Sequence, residues 1–266
     1  MKVMITGASG TLGQGLCRRY KERGATVIAV SRREVVEGPW DHLLVSAQAS
    51  YEDAVSLVDA QPDIIILNAG AIETEIDELG MPLPESLESL NQVNYVFPAQ
   101  VMMAASKRAT QAMQVIGVGS IADGSPSCFG PLYHASKASL HYFVSSVAPI
   151  AKSTNPHVSI RLYRPGVIKG PLSWAPVNRL NDKGYKVRAK RCESAPDADV
   201  VAERMVRWIE SSSPIGSDPE PISFRFLKFF FAGFPSLYYK LQCLAWRKAS
   251  RFTPQNYGQV ENSATS

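Results

Sequence analysis

Tyr133 and Lys137, in the run Tyr-His-Ala-Ser-Lys, stand at i and i+4 and so share one face of any helix they occupy. A free phenol, with a pKa of about 10, is a weak proton carrier at neutral pH. A neighbouring ammonium stabilises the phenolate and makes the pair a candidate acid–base centre. Upstream, Ser120 closes the apolar run Val115–Gly119, which would put its hydroxyl at the carboxyl edge of a sheet, where ligands bind in open α/β folds.

A second group of residues could hold phosphate. The apolar run Val3–Thr6 leads straight into Gly7-Ala8-Ser9-Gly10-Thr11-Leu12-Gly13 and then a helical pattern through Leu16 and Tyr20. Glycines at a strand–helix junction allow a tight turn and a close approach of backbone to pyrophosphate, while the helix start offers free N–H groups and a positive dipole end. An NAD-binding chain carries an acidic residue at the end of the second strand to bond the ribose 2′-hydroxyl. Here Val30 is followed by Ser31, Arg32 and Arg33. A hydroxyl and guanidinium groups suit a 2′-phosphate, so NADP(H) is expected in preference to NAD(H).

To bring these groups together, short β-branched runs must alternate with helices. The strands are read at Val3–Thr6, Thr26–Val30, His42–Val45, Ile64–Asn68, Val115–Gly119 and Ser159–Tyr163. The helices are read at Gly10–Arg23, Tyr51–Asp59, Leu87–Arg108, Tyr133–Lys152 and Ala198–Ser212. That order predicts an α/β chain: one Rossmann-type, doubly wound parallel sheet with helices on both faces, over residues 1–212. Residues 166–196 are rich in proline and glycine and read as a substrate lid, 213–221 as a linker, 222–250 as an aromatic-basic helical extension and 251–266 as a polar tail. A seventh strand is not legible after Ser212.

Composition narrows the function classes. In 266 residues, 45% hydrophobic and 20% charged, there is material for one sizeable core. The net charge of +4 gives no reason to expect a nucleic-acid partner. Cys17, Cys128, Cys192 and Cys243 lie far apart with no CxxC or zinc spacing, so no metal is expected and the thiols are read as reduced. The chain opens on what reads as a core strand rather than a leader, which makes a cytoplasmic location the expectation.

Taken in order, these motifs resemble the short-chain dehydrogenase/reductase family from Met1 to about Ser212. The glycine turn, Asn68-Ala69-Gly70 after the fourth strand, Val93-Asn94, Ser120, Tyr133 with Lys137, and Arg164-Pro165-Gly166-Val167-Ile168 after the sixth strand all match. The resemblance implies that Ser120 polarises the substrate oxygen and Tyr133 passes its proton. Lys137 would lower the tyrosine pKa and hold the nicotinamide ribose, while Asn94 anchors a proton-relaying water. Singly, each could be an ordinary helix or turn residue; jointly, at the expected elements, they read as a site. The chain departs from the family in three places. Its glycines are spaced GxxGxxG, Ser46-Ala47-Gln48 stands where an adenine-holding Asp is common, and Gly170 replaces a threonine after the Pro-Gly turn. Asp123 follows Ser120 where small residues are usual and is read as a turn residue, and His134 and His141 as packing or surface groups.

Beyond Ser212 the chain changes character. Ile222–Trp246 is dense in Phe, Tyr, Trp and Leu at helical spacing, interrupted by Arg225, Lys228 and Lys240 and kinked by Pro235. A spanning helix needs about 20 apolar residues, so an interfacial helix at the inner face of a membrane fits better. A cap on the substrate pocket or a subunit contact is the alternative. The leading functional reading is reduction of a lipophilic ketone or aldehyde, or the reverse oxidation, by a homodimer. A keto-sugar reductase at a membrane surface and a non-catalytic NADP sensor are the alternatives.

Overall fold

The computed structural model describes residues 1–32, 38–46, 48–187, 190–211 and 213–250. Seven strands form one sheet: β1 (Lys2–Thr6), β2 (Thr26–Ser31), β3 (Asp41–Leu44), β4 (Ile64–Leu67), β5 (Met113–Val118), β6 (Val158–Arg164) and β7 (Ile215–Ser217). Their order is β3-β2-β1-β4-β5-β6-β7 and every pairing is parallel. The order reverses between β1 and β4, which sets the ligand crevice beyond their carboxyl ends.

The central strands are apolar on both sides because both faces are covered. Val3 and Ile5 of β1 face one layer, with Leu16 and Tyr20 of α1 (Thr11–Glu22) and Met205 of α8 (Ala198–Ile209). Met4 faces the other, with Leu57 of α2 (Tyr51–Asp59), Met102 of α4 (Phe97–Arg108) and Leu140 of α5 (Pro131–Thr154). α2 starts on a reciprocal capping box between Ser50 and Asp53.

Two sequence expectations need correction and two gain detail. The seventh strand exists, inside the expected linker. Arg161 of β6 holds it by donating to Ser213 O (3.0 Å) while capping the end of α8 through Trp208 O and Ile209 O (3.0 and 2.8 Å). The helix read as Leu87–Arg108 is α3 (Pro84–Asn91), one π turn (Gln92–Val96) and α4. The segment 166–196, expected as a lid, carries α6 (Pro171–Asp182) and the short α7 (Lys190–Glu193). The extension is two helices, α9 (Ile222–Gly233) and α10 (Pro235–Ala249), broken at Phe234. Among the described residues, no helix is long and apolar enough to cross a membrane. All four cysteines are free thiols.

Two glycines of the first turn are dictated by close approach. Gly7 has φ +64°, and a Cβ on Gly13 would lie 2.2 Å from Gly7 O and 2.8 Å from Ala8 Cα. Gly13→Ala is therefore expected to destabilise the fold by about 3 kcal/mol, the upper part of the usual overpacking range, measured by urea denaturation; an unchanged midpoint would show that the turn can relax.

Candidate active site

Helix α5, which carries Tyr133 and Lys137, starts at Pro131 after Gly130, which supplies no side-chain cap. Its cap comes from far away in sequence. The carboxylate of Glu73, 1% exposed, accepts from Leu132 N (3.1 Å) and Tyr133 N (3.2 Å), placing negative charge on the positive end of the helix. Arg179 of α6 donates to the Glu73 and Phe129 carbonyls, and its guanidinium lies 3.7 Å from the Glu73 carboxylate. Helix α6 and the backbone of Tyr133 thus share one buried ion pair. Glu73 gave no sequence signal, and Arg179 carried none that could be interpreted.

One helical turn on, the buried ammonium of Lys137 donates to Val118 O at the carboxyl end of β5 (2.9 Å) and lies 5.9 Å from the centre of the Tyr133 ring. Ser120 follows two residues after Val118, buried, with its Oγ accepting from Ala122 N (3.1 Å). Asn94 lies in the π turn, fully buried. It accepts from Ala71 N (2.9 Å) and donates to Ala71 O (2.8 Å) and Ser136 Oγ (3.0 Å). A Cβ on Gly70 would sit 3.3 Å from Asn94 Oδ1 and 3.5 Å from Lys137 Nζ. The space between those two groups therefore exists because residue 70 is glycine. The four expected catalytic residues converge on one sheet edge.

Asp123 is more than a turn residue. Its carboxylate is fully buried, bound by Arg164 through two bonds (2.6 and 2.5 Å) and by His141 Nδ1 (3.0 Å), which moves His141 out of the surface class. Arg164 also meets Glu220 (3.2 Å), which meets Lys228 of α9 (2.6 Å). His134 Nδ1 is hydrogen-bonded with Ser125 O (2.8 Å), and burial lowers its pKa.

Electrostatics sharpen the roles. Burial pushes the Lys137 ammonium down to about 8, against the pull of Asp123. Burial raises the Tyr133 phenol above its ordinary value. A hydrogen bond with Ser120 opposes that rise, and the charges of Asp123 and Glu73 add to it. Burial and the two carboxylates thus outweigh the Ser120 bond in the cofactor-free protein. Burial alone would raise the Asp123 carboxyl, but the bonds from His141 and Arg164 outweigh it and hold the pKa low.

The expected cofactor residues gather at the reversal of strand order. Gly10 caps α1 without a side-chain bond, and no acidic residue stands in the first turn, so the N–H groups of Thr11, Leu12 and Gly13 start a helix suited to an anion. Ser9 lies in the same turn. Ala8 N donates to Val30 O (3.3 Å), bringing the end of β2, with buried Ser31 and exposed Arg32, beside the glycine turn. Arg33 lies outside the described residues. Asn68 donates to Thr6 O (3.1 Å) and Gly7 O (3.2 Å), and Ala69 N to Thr6 Oγ1 (3.0 Å), so this segment braces the turn. The Pro165–Ile168 turn is held by Asp218 just past β7, which accepts from Gly166 N (3.0 Å) and Tyr163 Oη (2.7 Å). Asp218 escaped the sequence reading together with its strand. Gly170, at φ +155°, lies against Thr11. Among the described residues, no group of three or more His, Cys, Asp or Glu could hold a metal.

The family model for short chain dehydrogenases matches residues 1–180. An 11-beta-hydroxysteroid dehydrogenase A from Sesamum indicum is 26% identical over 188 residues, covering 64% of this chain and 53% of its own length. The chain thus spans about half of that relative. An NADP-dependent 3-hydroxy acid dehydrogenase from Shigella flexneri is 25% identical over 226 residues, covering 79% of this chain and 89% of its own. Among solved structures, a short chain dehydrogenase from Burkholderia cenocepacia in complex with NADP superposes with a TM-score of 0.67 at 18% identity, over 91% of this chain and 96% of its own. One from Sphingobium yanoikuyae in complex with NADPH gives 0.67 at 17%, over 89% and 94%.

Two outcomes follow from the buried charges. Arg179→Met leaves the Glu73 carboxylate without its cation and should cost about 3–5 kcal/mol in urea denaturation at pH 7, whereas an unchanged midpoint would make the pair dispensable. In the cofactor-free protein, [13C]lysine NMR should find one ammonium, absent from Lys137→Met, titrating near pH 8. The unfolded chain binds that proton more tightly, so its contribution to stability rises from about pH 8 to the ordinary lysine value of 10.5.

Proposed function

Because this chain belongs to the short-chain dehydrogenase family, we propose that it reduces a ketone or aldehyde with NADPH, using Tyr133 as the proton donor. One observation carries the reading: Tyr133 stands one helical turn from buried Lys137, whose ammonium lies 5.9 Å from its ring and is bonded to Val118 O at the strand end that leads to buried Ser120. A phenol that is protonated at neutral pH can give its proton to a carbonyl oxygen as negative charge develops there.

In this reading Ser120 polarises the carbonyl oxygen and Tyr133 donates its proton to it. Lys137 returns a proton to the phenolate through the gap beside Gly70 that Asn94 borders. When bound, NADPH supplies the hydride. The first-turn amides of α1 would take the pyrophosphate, Ser31 and Arg32 the 2′-phosphate, Lys137 the ribose, and the backbone of Gly166–Ile168 the carboxamide. The preference for NADP(H) is supported by the absence of an acidic residue at Ser31 and Arg32, by the two neighbours solved with NADP or NADPH, and by the NADP-dependent Shigella relative.

Ile76, Phe129, Leu180, Tyr185 and Trp246 form an apolar cluster between the lid and α10, with Phe129 four residues before Tyr133. That wall favours a lipophilic carbonyl compound. Met103 of α4 and Tyr142 and Ile150 of α5 are exposed, which supports a homodimer through these two helices.

A screen of NADPH oxidation across ketones, aldehydes, steroids, quinones and keto-sugars tests the reading. On any substrate found, Tyr133→Phe should lower kcat by about 10²–10⁴-fold with NADPH affinity unchanged; full turnover would remove Tyr133 from the mechanism. Arg32→Asp should weaken NADPH about tenfold or more while sparing NADH, the size expected for one charge-assisted bond.

A further inference from the structure

The two C-terminal helices turn opposite faces to the body and to solvent. On α10, Tyr238 donates to Pro126 O (2.5 Å), Gln242 accepts from Cys128 N (2.9 Å) and Trp246 packs on Phe129 (6.0 Å between rings). These contacts fasten α10 to the loop between Ser120 and Tyr133. On α9, Lys228 lies over Gly124 and pairs with Glu220, and Phe224 stacks under Arg191. The docked faces are thereby accounted for.

Among the described residues, the outward faces have no such cover. Ile222, Phe226 and Phe229 follow i, i+4, i+7 along α9, and Leu237, Leu241 and Leu244 repeat that spacing along α10. All six are exposed, Phe229 by 62% and Leu244 by 61%, and Phe234 at the elbow by 50%. Nine of the twenty large apolar residues exposed among the described residues fall between Ile222 and Leu244. Scattered exposed leucines need no explanation, but a contiguous patch on two adjoining helices does.

Charge decides between occupants. Residues 221–250 contain five Lys and Arg and no Asp or Glu. Lys228 is taken up by Glu220, which leaves Arg225, Lys240, Arg247 and Lys248 exposed around the apolar faces. A second copy docking on this patch by two-fold symmetry would set cations against cations. A phospholipid surface with anionic headgroups takes both parts, the apolar stripes entering the headgroup–acyl boundary and the cations meeting the phosphates. We propose that the α9–α10 elbow is a peripheral docking surface for an anionic membrane. The inference stands apart from the proposed reaction, and its test needs no turnover.

The experiment is co-sedimentation of the full chain with vesicles of phosphatidylcholine alone or mixed equally with phosphatidylglycerol. The wild type should partition at least tenfold more strongly to the anionic vesicles, and less so in high salt. Phe229→Asp with Leu244→Asp should reduce binding at least tenfold. The fourfold change of Arg225, Lys240, Arg247 and Lys248 to Gln should remove the preference for anionic lipid. Because these side chains are exposed, thermal unfolding and NADPH binding should stay as in the wild type, which separates a lost surface from a lost fold. No pelleting of the wild type with anionic vesicles would overturn the proposal, as would equal pelleting of the double variant. So would an assembly that light scattering shows the double variant to dissociate while vesicle binding is absent, since the occupant would then be a second copy.

Discussion

A buried ammonium must have an acceptor, and Lys137 takes the backbone carbonyl of Val118. That one bond sets the register between the catalytic helix and the carboxyl end of β5. Ser120 leaves the same strand end two residues later, and Tyr133 stands one turn earlier on the same helix, so fixing Lys137 fixes both hydroxyls. The other braces act on the same joint. Glu73 holds the first N–H groups of α5, Asn94 ties the π turn to Ala71 and Ser136, and Asp123 binds His141 a turn beyond Lys137 on α5. A π turn is a costly irregularity that collects at functional sites, and here it places a carboxamide beside Gly70.

The charges around this joint are balanced rather than neutral. Asp123 and Glu73 both act to raise the Tyr133 phenol, and Asp123 partly offsets the cost of burying Lys137. Each carboxylate is itself held by an arginine, Arg164 or Arg179, which keeps a strong field in place without leaving an unpaired buried charge. The resulting state is a neutral phenol beside an ammonium close to its own pKa. Burial sets both shifts, so this state depends on dehydration of the site as much as on any single partner.

The sequence made the local parts of this arrangement legible. Tyr133 and Lys137 are four residues apart, the glycine turn spans seven, and six strands were found within two residues of their ends, five of them because buried parallel strands read as apolar runs, whereas β3 is exposed throughout. What stayed hidden depends on distant pairing. Arg179 reaches Glu73 across 106 residues, Tyr163 reaches Asp218 across 55, and Arg164 reaches Asp123 across 41. No spacing rule connects such pairs. β7 was missed for a related reason: Ile215-Gly216-Ser217 is a short, largely exposed edge, held by Arg161 and Asp218 rather than by an apolar pattern. The lid misled in the other direction, since Pro171 begins α6 at a first-turn position that tolerates proline, and Pro176 sits inside that helix.

The same distance effect explains why the C-terminal extension reads as an appendage in sequence and behaves as part of the site in space. Lys228 binds Glu220, Glu220 binds Arg164, and Arg164 binds Asp123, three residues past Ser120. On the other helix, Tyr238, Gln242 and Trp246 grip the loop that leads to Tyr133. The inner face of the elbow therefore contacts the segments that flank both hydroxyls of the site, through paired charges on one helix and packed rings on the other. The extension stands to the catalytic edge as α6 does through Arg179 and Glu73. Two elements outside the core sheet each reach the catalytic helix through a buried carboxylate, and the site is defined where those two grips meet.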